Sequence, residues 1–230
     1  MNLQIFADIF TRDNVLFMLA GMRTTLLISV VTVCASIVFG TILALLRNYE
    51  KRVFGRIASI YIEIFRSTPL LLWILVCVFM LPLGNYLIRG GIGLTFYTSS
   101  VIAEIVRGGL NSIDKGQFEA ARSQGFNFFQ TLVYIILPQC FQRIVPSLMS
   151  QIITTIKDTS FFAQFAIAEF FFNAKNLMGS ISKNTVVGSA HIFVLYCFIA
   201  FVYFAINFSL SCLVRYLFRK DESTIVHVEQ

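Results

Sequence analysis

Four ionisable residues fall inside apolar stretches of this 230-residue sequence at helical spacing: Glu63 with Arg66, and Glu104 with Arg107. A charge within bilayer hydrocarbon is costly, so it is retained where it pairs, lines a polar path or binds something. In each pair an acid precedes a base by three residues, which puts both on one helix face. Arg66 lies ten residues beyond Arg56, roughly 15 Å along a helix and so about mid-way through the hydrocarbon. Further on, Gln151 and Asp158 stand seven apart on a common face, with Lys157 adjacent. Such a set suits a zwitterion, whose carboxylate needs a cation and whose ammonium needs an acceptor; a guanidinium can grip a carboxylate through two hydrogen bonds. The competing reading is that both pairs neutralise themselves and lock helices together. Gly108 and Gly109, next to Arg107, let another backbone come close. Arg143, between Pro138 and Pro146, reads as structural or interfacial.

Covalent chemistry finds little support. The sequence contains no GxxxxGK[ST] loop to hold ATP and no HExxH. Its two histidines are His191 and His227; Ser189 and His191 are two apart and point to different helix faces, a poor start for a nucleophile and base. Cys34, Cys77, Cys140, Cys197 and Cys212 lie in apolar stretches without CxxC spacing and read as small buried hydrophobes. We expect no catalytic residues, no metal site and no cofactor in this chain.

The elements that must position the charges are membrane helices. The composition is 57% hydrophobic and 13% charged, with a mean hydropathy of +0.78; soluble domains carry about 25% charged residues. The expected fold is all-α, a single integral membrane domain over residues 1–230 with about five transmembrane helices. The spans fall at roughly 15–46, 57–81, 94–110, 131–156 and 187–214. Pro69 interrupts the second, and Pro138 and Pro146 predict a bent or broken fourth. Residues 158–185 mix polar residues with phenylalanine clusters, as in an amphipathic segment lying on the membrane or on the bundle. The N-terminus lacks the pattern of a cleaved signal, so no processing is expected. A net charge of +6 comes from scattered bases. Arg47, Lys51, Arg52 and Arg56 follow the first span closely; placing them in the cytoplasm puts most loop bases inside, the N-terminus outside and the C-terminus inside.

Between the third and fourth spans lies a polar segment, 116–128. Asp114 and Glu119 complement the positive end of a short helix, Ala120 and Ala121 leave its surface open to close approach, and Gly125 suits a left-handed terminus. From Glu119 to Pro138 the sequence reads EAARSQGFNFFQTLVYIILP. Its spacing resembles the EAA signature of permease subunits of ATP-binding cassette importers. FRSTPLLL at 65–72, AEIVRGGLNSIDKGQFEAARSQGF at 103–126, ILPQ at 136–139 and IKDTS at 156–160 resemble the polar amino acid branch of that family, the histidine/glutamine/arginine permeases. Ser67 and Ser150 depart from its usual Gly and Asn.

The resemblance implies a bacterial inner-membrane importer. Its partners would be two cytoplasmic ATPase subunits that hold ATP and Mg, a second permease subunit, identical or different, and an external amino acid binding protein. It implies coupling to the ATPase through Glu119, Ala120, Ala121 and Gly125; the candidates for substrate contact are Arg66, Thr68, Glu104, Arg107, Gln151, Lys157 and Asp158. Nucleic acid is not an expected partner. Basic, amide and acidic amino acids all remain open as cargo, and an ion-gradient-driven transporter of small polar solutes is the alternative.

Overall fold

The computed structural model describes the backbone of residues 3–50, 52–181 and 187–225, with side chains from 4 through 216. Lys51, Lys183 and the end of the polar tail lie outside the described residues, as do the side chains of Arg219 and Lys220. The described residues form helices and no strand: α1 (Leu3–Ile9), α2 (Arg12–Tyr49), α3 (Val53–Ser67), α4 (Leu70–Met80), α5 (Tyr86–Asn111), α6 (Gly116–Ser123), α7 (Phe128–Thr131), α8 (Leu137–Asp158), α9 (Phe170–Ile181) and α10 (Ser189–Ile225). A π-helical turn, Leu132–Ile136, joins α7 to α8, and a 3-10 segment, Thr159–Phe165, follows α8.

Among the described residues three helical stretches are long and apolar enough to cross a membrane: Arg12–Tyr49, Phe128–Phe165 and Ser189–Tyr216. At 38 residues, α2 extends about 57 Å, well beyond a hydrocarbon core of about 30 Å. The expected second span is not one helix. It is α3 and α4, bent by 107°. Pro69 causes the break: the ring disfavours helical geometry in the residue before it, and Thr68 is extended at φ −121° and ψ 154°. The freed groups are satisfied locally. Thr68 Oγ1 donates to the Ile64 carbonyl at 2.7 Å and accepts from Trp73 Nε1 at 2.6 Å. The fifth element, α5, is 26 residues long but carries too many glycines, hydroxyls and charges to be as apolar as the others.

The chain packs as two units. Residues 31–152 form one, whose core gathers Leu43 and Ala44 of α2, Ala58 and Ile62 of α3, and Ile102, Ala103 and Val106 of α5, with Ile136, Cys140, Ile144 and Leu148. With little hydrophobic drive between helices in lipid, such packing relies on close contact. Gly109 provides it: a Cβ there would stand 2.3 Å from Ile144 Cγ2 and 2.8 Å from Cys140 Sγ, so α5 and α8 touch where the glycine leaves room. Next to it, Gly108 faces open space.

Residues 1–30 with 153–230 form the other unit. Ile9, Met18, Met22, Phe170, Ala174, Leu177, Leu195 and Ile199 build its core. The phenylalanine-rich segment belongs to this interior, with Phe162 and Phe170 fully buried. Glu169, in the turn before α9, is also fully buried. Its carboxylate accepts from the backbone N–H groups of Phe171 and Phe172 at 2.9 and 2.7 Å and from Thr25 Oγ1 at 3.3 Å. It thereby caps α9 and satisfies donors that the first turn leaves orphaned. Burial nonetheless pushes this carboxyl above its usual value, the hydrogen bonds offsetting only part of the effect.

Candidate functional site

The first candidate feature is an ion-pair cluster in the 31–152 unit. Glu104, on α5, is its centre: it accepts from Arg107 Nε and Nη2 at 3.1 and 2.9 Å, from Arg47 Nη1 at 2.8 Å, and lies 3.5 Å from Arg66 Nη1. Arg47 comes from the end of α2 and Arg66 from the last turn of α3, so three helices converge on one carboxylate. Arg47 also reaches Glu63 at 3.1 Å. The expected Glu104–Arg107 pair is present. The expected Glu63–Arg66 pair is not: Glu63 bonds to Arg47 and Arg66 turns to Glu104, because α2 and α5 supply better-placed partners than the same helix does.

Three guanidiniums face two carboxylates here, so the cluster keeps one positive charge. The Glu104 side chain is 16% exposed, whereas those of Arg66 and Arg107 are 47% and 36% exposed. The open guanidinium faces leave donors for an added anion or carboxylate. An aromatic stack lies behind the cluster: Tyr61, Phe65 and Trp73 ring centroids follow at 4.3 and 4.0 Å, and Tyr61 hydrogen-bonds the Phe96 carbonyl at 2.9 Å. Thr68 stands at the break between α3 and α4, with its hydroxyl engaged there.

The remaining substrate candidates sit on α8. Gln151 and Asp158 are half-buried and Lys157 is exposed. Within the other unit, Lys157 borders a mostly apolar groove of about 350 Å³ that also involves Ser160, Phe171, Tyr196 and Tyr203.

The second feature is α6 and its mounting. Glu119 and Ala120 are exposed, Ala121 is buried against the protein, and Arg122 and Ser123 face outward. The helix ends in a Schellman motif. Phe126 N–H donates to the Ala121 carbonyl at 3.0 Å and Gly125 N–H to that of Arg122 at 2.9 Å. Gly125 has φ +82°, and a Cβ there would meet nothing within 4 Å, so the glycine serves backbone conformation and not space.

Three contacts anchor the segment. Tyr49, Phe118 and Phe128 form an aromatic cluster, with Tyr49 edge-on to Phe128 at 5.3 Å. Asn127 and Gln130 form a reciprocal capping box at 2.8 and 2.9 Å that starts α7. Gln139 of α8 reaches back to Gln117 of α6 at 3.1 Å, and Arg143 of α8 to the Ser112 carbonyl at the end of α5, just before the segment. The result is a short amphipathic helix held rigidly at one end of a long one, with a small-residue face left uncovered. Long apolar helices, an ion-pair cluster that ties three helices together and an exposed short helix at one end of a long one are the features of a membrane-spanning subunit.

The chain belongs to the family of binding-protein-dependent transport system inner membrane components, whose model matches residues 36–220. It is 35% identical over 216 residues to the probable glutamine ABC transporter permease protein GlnP of Bacillus subtilis strain 168, covering 92% of this chain and 97% of that one. The glutamate/aspartate import permease protein GltK of Escherichia coli O157:H7 is 33% identical over 216 residues, covering 89% and 93%. Among solved structures, an amino acid ABC transporter crystallised with histidines superposes at a TM-score of 0.79 and 26% identity, covering 96% of this chain and 100% of that one. An inward-facing MetNI methionine ABC transporter matches at 0.70 and 18%, covering 90% and 98%, a likeness of fold.

Sequence reasoning misses Arg47 as a partner of Glu104 and the burial of Glu169. Arg47 is 57 positions from Glu104 and reads only as a loop base, so spacing gives no signal. For Glu169 a weak signal exists: a lone acid preceding FFF marks a helix start inside an apolar run.

Proposed function

We propose that this permease subunit carries a polar amino acid inward, driven by two cytoplasmic ATPases that hold ATP and Mg, with a second permease subunit and an external binding protein. The observation that carries the reading is α6: an exposed helix of small and charged residues, tied to the base of α8 by Gln139, while Arg143 of α8 holds the end of α5 from which α6 follows. Closure of the ATPase dimer on Glu119, Ala120 and Ala121 would be passed to the spanning helices because that mounting is stiff, and Gly125 sets the end of the lever.

In this reading the N-terminus is external and the C-terminus cytoplasmic, which places α6 beside the ATPases. Arg66 and Arg107 take the substrate carboxylate, using the open faces left by Glu104. Thr68 shapes the break that presents Arg66. Gln151, in the same unit, is a further polar candidate for the substrate, and Lys157 and Asp158 are candidates within the other unit. The relatives named for glutamine and for glutamate/aspartate favour an amino acid as cargo.

The test is uptake of labelled amino acids into proteoliposomes holding the complex with its ATPase and binding protein. ATP-dependent, selective uptake supports the proposal. ATP hydrolysis without uptake of any amino acid would remove the substrate assignment, and uptake that follows an ion gradient without ATP would remove the whole reading.

A further inference from the structure

The start of α3 carries a groove. Arg52, Val53, Arg56, Ile57 and Ile60 line a space of about 450 Å³. An adjoining space of about 340 Å³ shares Arg56 and Ile60 and runs past Arg47, Glu50 and Ser59. Arg52 and Arg56 are exposed. Among the described residues neither guanidinium has an ion-pair partner, in contrast to Arg47 between Glu63 and Glu104. Among those same residues Glu50 is the one acid lining either space, and its Oε1 already accepts from the Arg52 backbone N–H at 2.8 Å.

Helical periodicity divides α3 and the residue before it into three stripes. Gly55, Ala58, Ile62 and Phe65 are buried in the protein. Arg52, Arg56, Ser59, Glu63 and Arg66 follow one another along a polar edge. Val53, Ile57, Ile60 and Ile64 make the third stripe, 64%, 57%, 58% and 47% exposed. The groove lies where the polar and the exposed apolar stripes meet, at the end of a helix that enters the membrane. An occupant must therefore be amphipathic: a negative head for two unpaired guanidiniums one helical turn apart, and hydrocarbon for the isoleucine stripe. A guanidinium binds phosphate oxygens with two parallel hydrogen bonds, and basic clusters next to membrane helices attract anionic headgroups.

We propose that Arg52 and Arg56 hold the phosphate of an anionic phospholipid whose acyl chains lie along Val53, Ile57 and Ile60. The larger space includes no residue of the Glu104 cluster, and Arg47 alone joins that cluster to the adjoining space.

The test uses the detergent-purified complex with its ATPase subunits, exposed to vesicles of equal parts phosphatidylglycerol and phosphatidylcholine and then weighed by native mass spectrometry. Phosphatidylglycerol should be retained over phosphatidylcholine by about tenfold, and R52Q/R56Q should lower that ratio by about tenfold. R52K/R56K should restore part of it, and R23Q, toward the other end of α2, should leave it unchanged. Should the double variant fail to assemble, R52Q and R56Q are measured singly, each with about a threefold loss expected. Equal retention of the two lipids would overturn the proposal, as would an R52Q/R56Q ratio like that of the unaltered complex. So would displacement of the lipid by inorganic phosphate, which would show an anion site with no role for the apolar stripe. A variant that loses a partner subunit while keeping its lipid would assign the groove to a protein contact instead.

Discussion

Replacing Glu104 with glutamine removes the charge on which three arginines converge while keeping side-chain volume. The cluster then passes from three positive and two negative charges to three and one. Removing one partner of a fully buried ion pair costs about 3–5 kcal/mol, because the other charge is left uncompensated. Here Glu104 is 16% exposed but its partners are 23%, 36% and 47% exposed, so water takes over part of the lost interaction. We expect E104Q to cost about 2 kcal/mol. At about 2–4 °C per kcal/mol for a chain of this size, that lowers the midpoint of thermal unfolding of the purified complex by about 4–8 °C. R47Q should cost a similar amount, and the double variant R47Q/E104Q should cost about 1 kcal/mol less than the two single changes together, since both remove the same 2.8 Å contact. An E104Q midpoint equal to that of the unaltered complex would refute the reasoning. So would single-variant costs that add to within about 0.5 kcal/mol, which would mean that Glu104 and Arg47 do not interact.

Other outcomes rest on the same geometry. Exchanging the pair as E104R/R107E separates lock from binding site: near-normal uptake means a helix lock, whereas lost uptake in an assembled complex means substrate contact. Gly125→Asp forces a side chain onto a residue at φ +82° and should reduce both ATP-dependent uptake and ATPase association; both remaining intact would remove the coupling role of the motif. The raised carboxyl of Glu169 has a definite sign. The folded protein keeps its proton to higher pH than the unfolded chain, so stability conferred by this group is full below the ordinary carboxylate range and falls as pH rises through and above it. E169Q should flatten that slope in thermal unfolding measured across pH, and an unchanged slope would place its cause elsewhere.

The all-helical fold and the bend at Pro69 are legible in the sequence because apolar length and proline position act locally. The α3–α4 break at Pro69 and the glycine end of α6 come from backbone rules that need no neighbour. Side-chain partnership is legible only where both members share a helix. Glu104 and Arg107 do, and they pair. Glu63 and Arg66 also do, yet each is drawn to a charge on another helix, and one sequence carries no record of which helices converge. Glu169 shows the same limit from the opposite side. Its polarity argues for a surface segment, but its hydrogen bonds to the start of α9 and to Thr25 let it stand in a core.

The π-helical turn at Leu132–Ile136 sets the rotational phase of α8. A π turn amounts to one residue inserted into an α-helix, and one residue corresponds to about 100° of rotation. Beyond it Cys140, Ile144 and Leu148, spaced by fours, all point into the core, with Ile144 and Cys140 filling the space at Gly109. Were the turn regular, the same residues would swing out of that seam and Gln139 and Arg143 would leave Gln117 and Ser112. The extra residue thus works as a gear tooth. It turns the face of α8 that carries Gln139 and Arg143 on one side and Cys140 and Ile144 on the other to the angle at which both sets meet their partners, and deletion of the exposed Tyr134 would rotate both away together while leaving the core residues of the turn in the sequence.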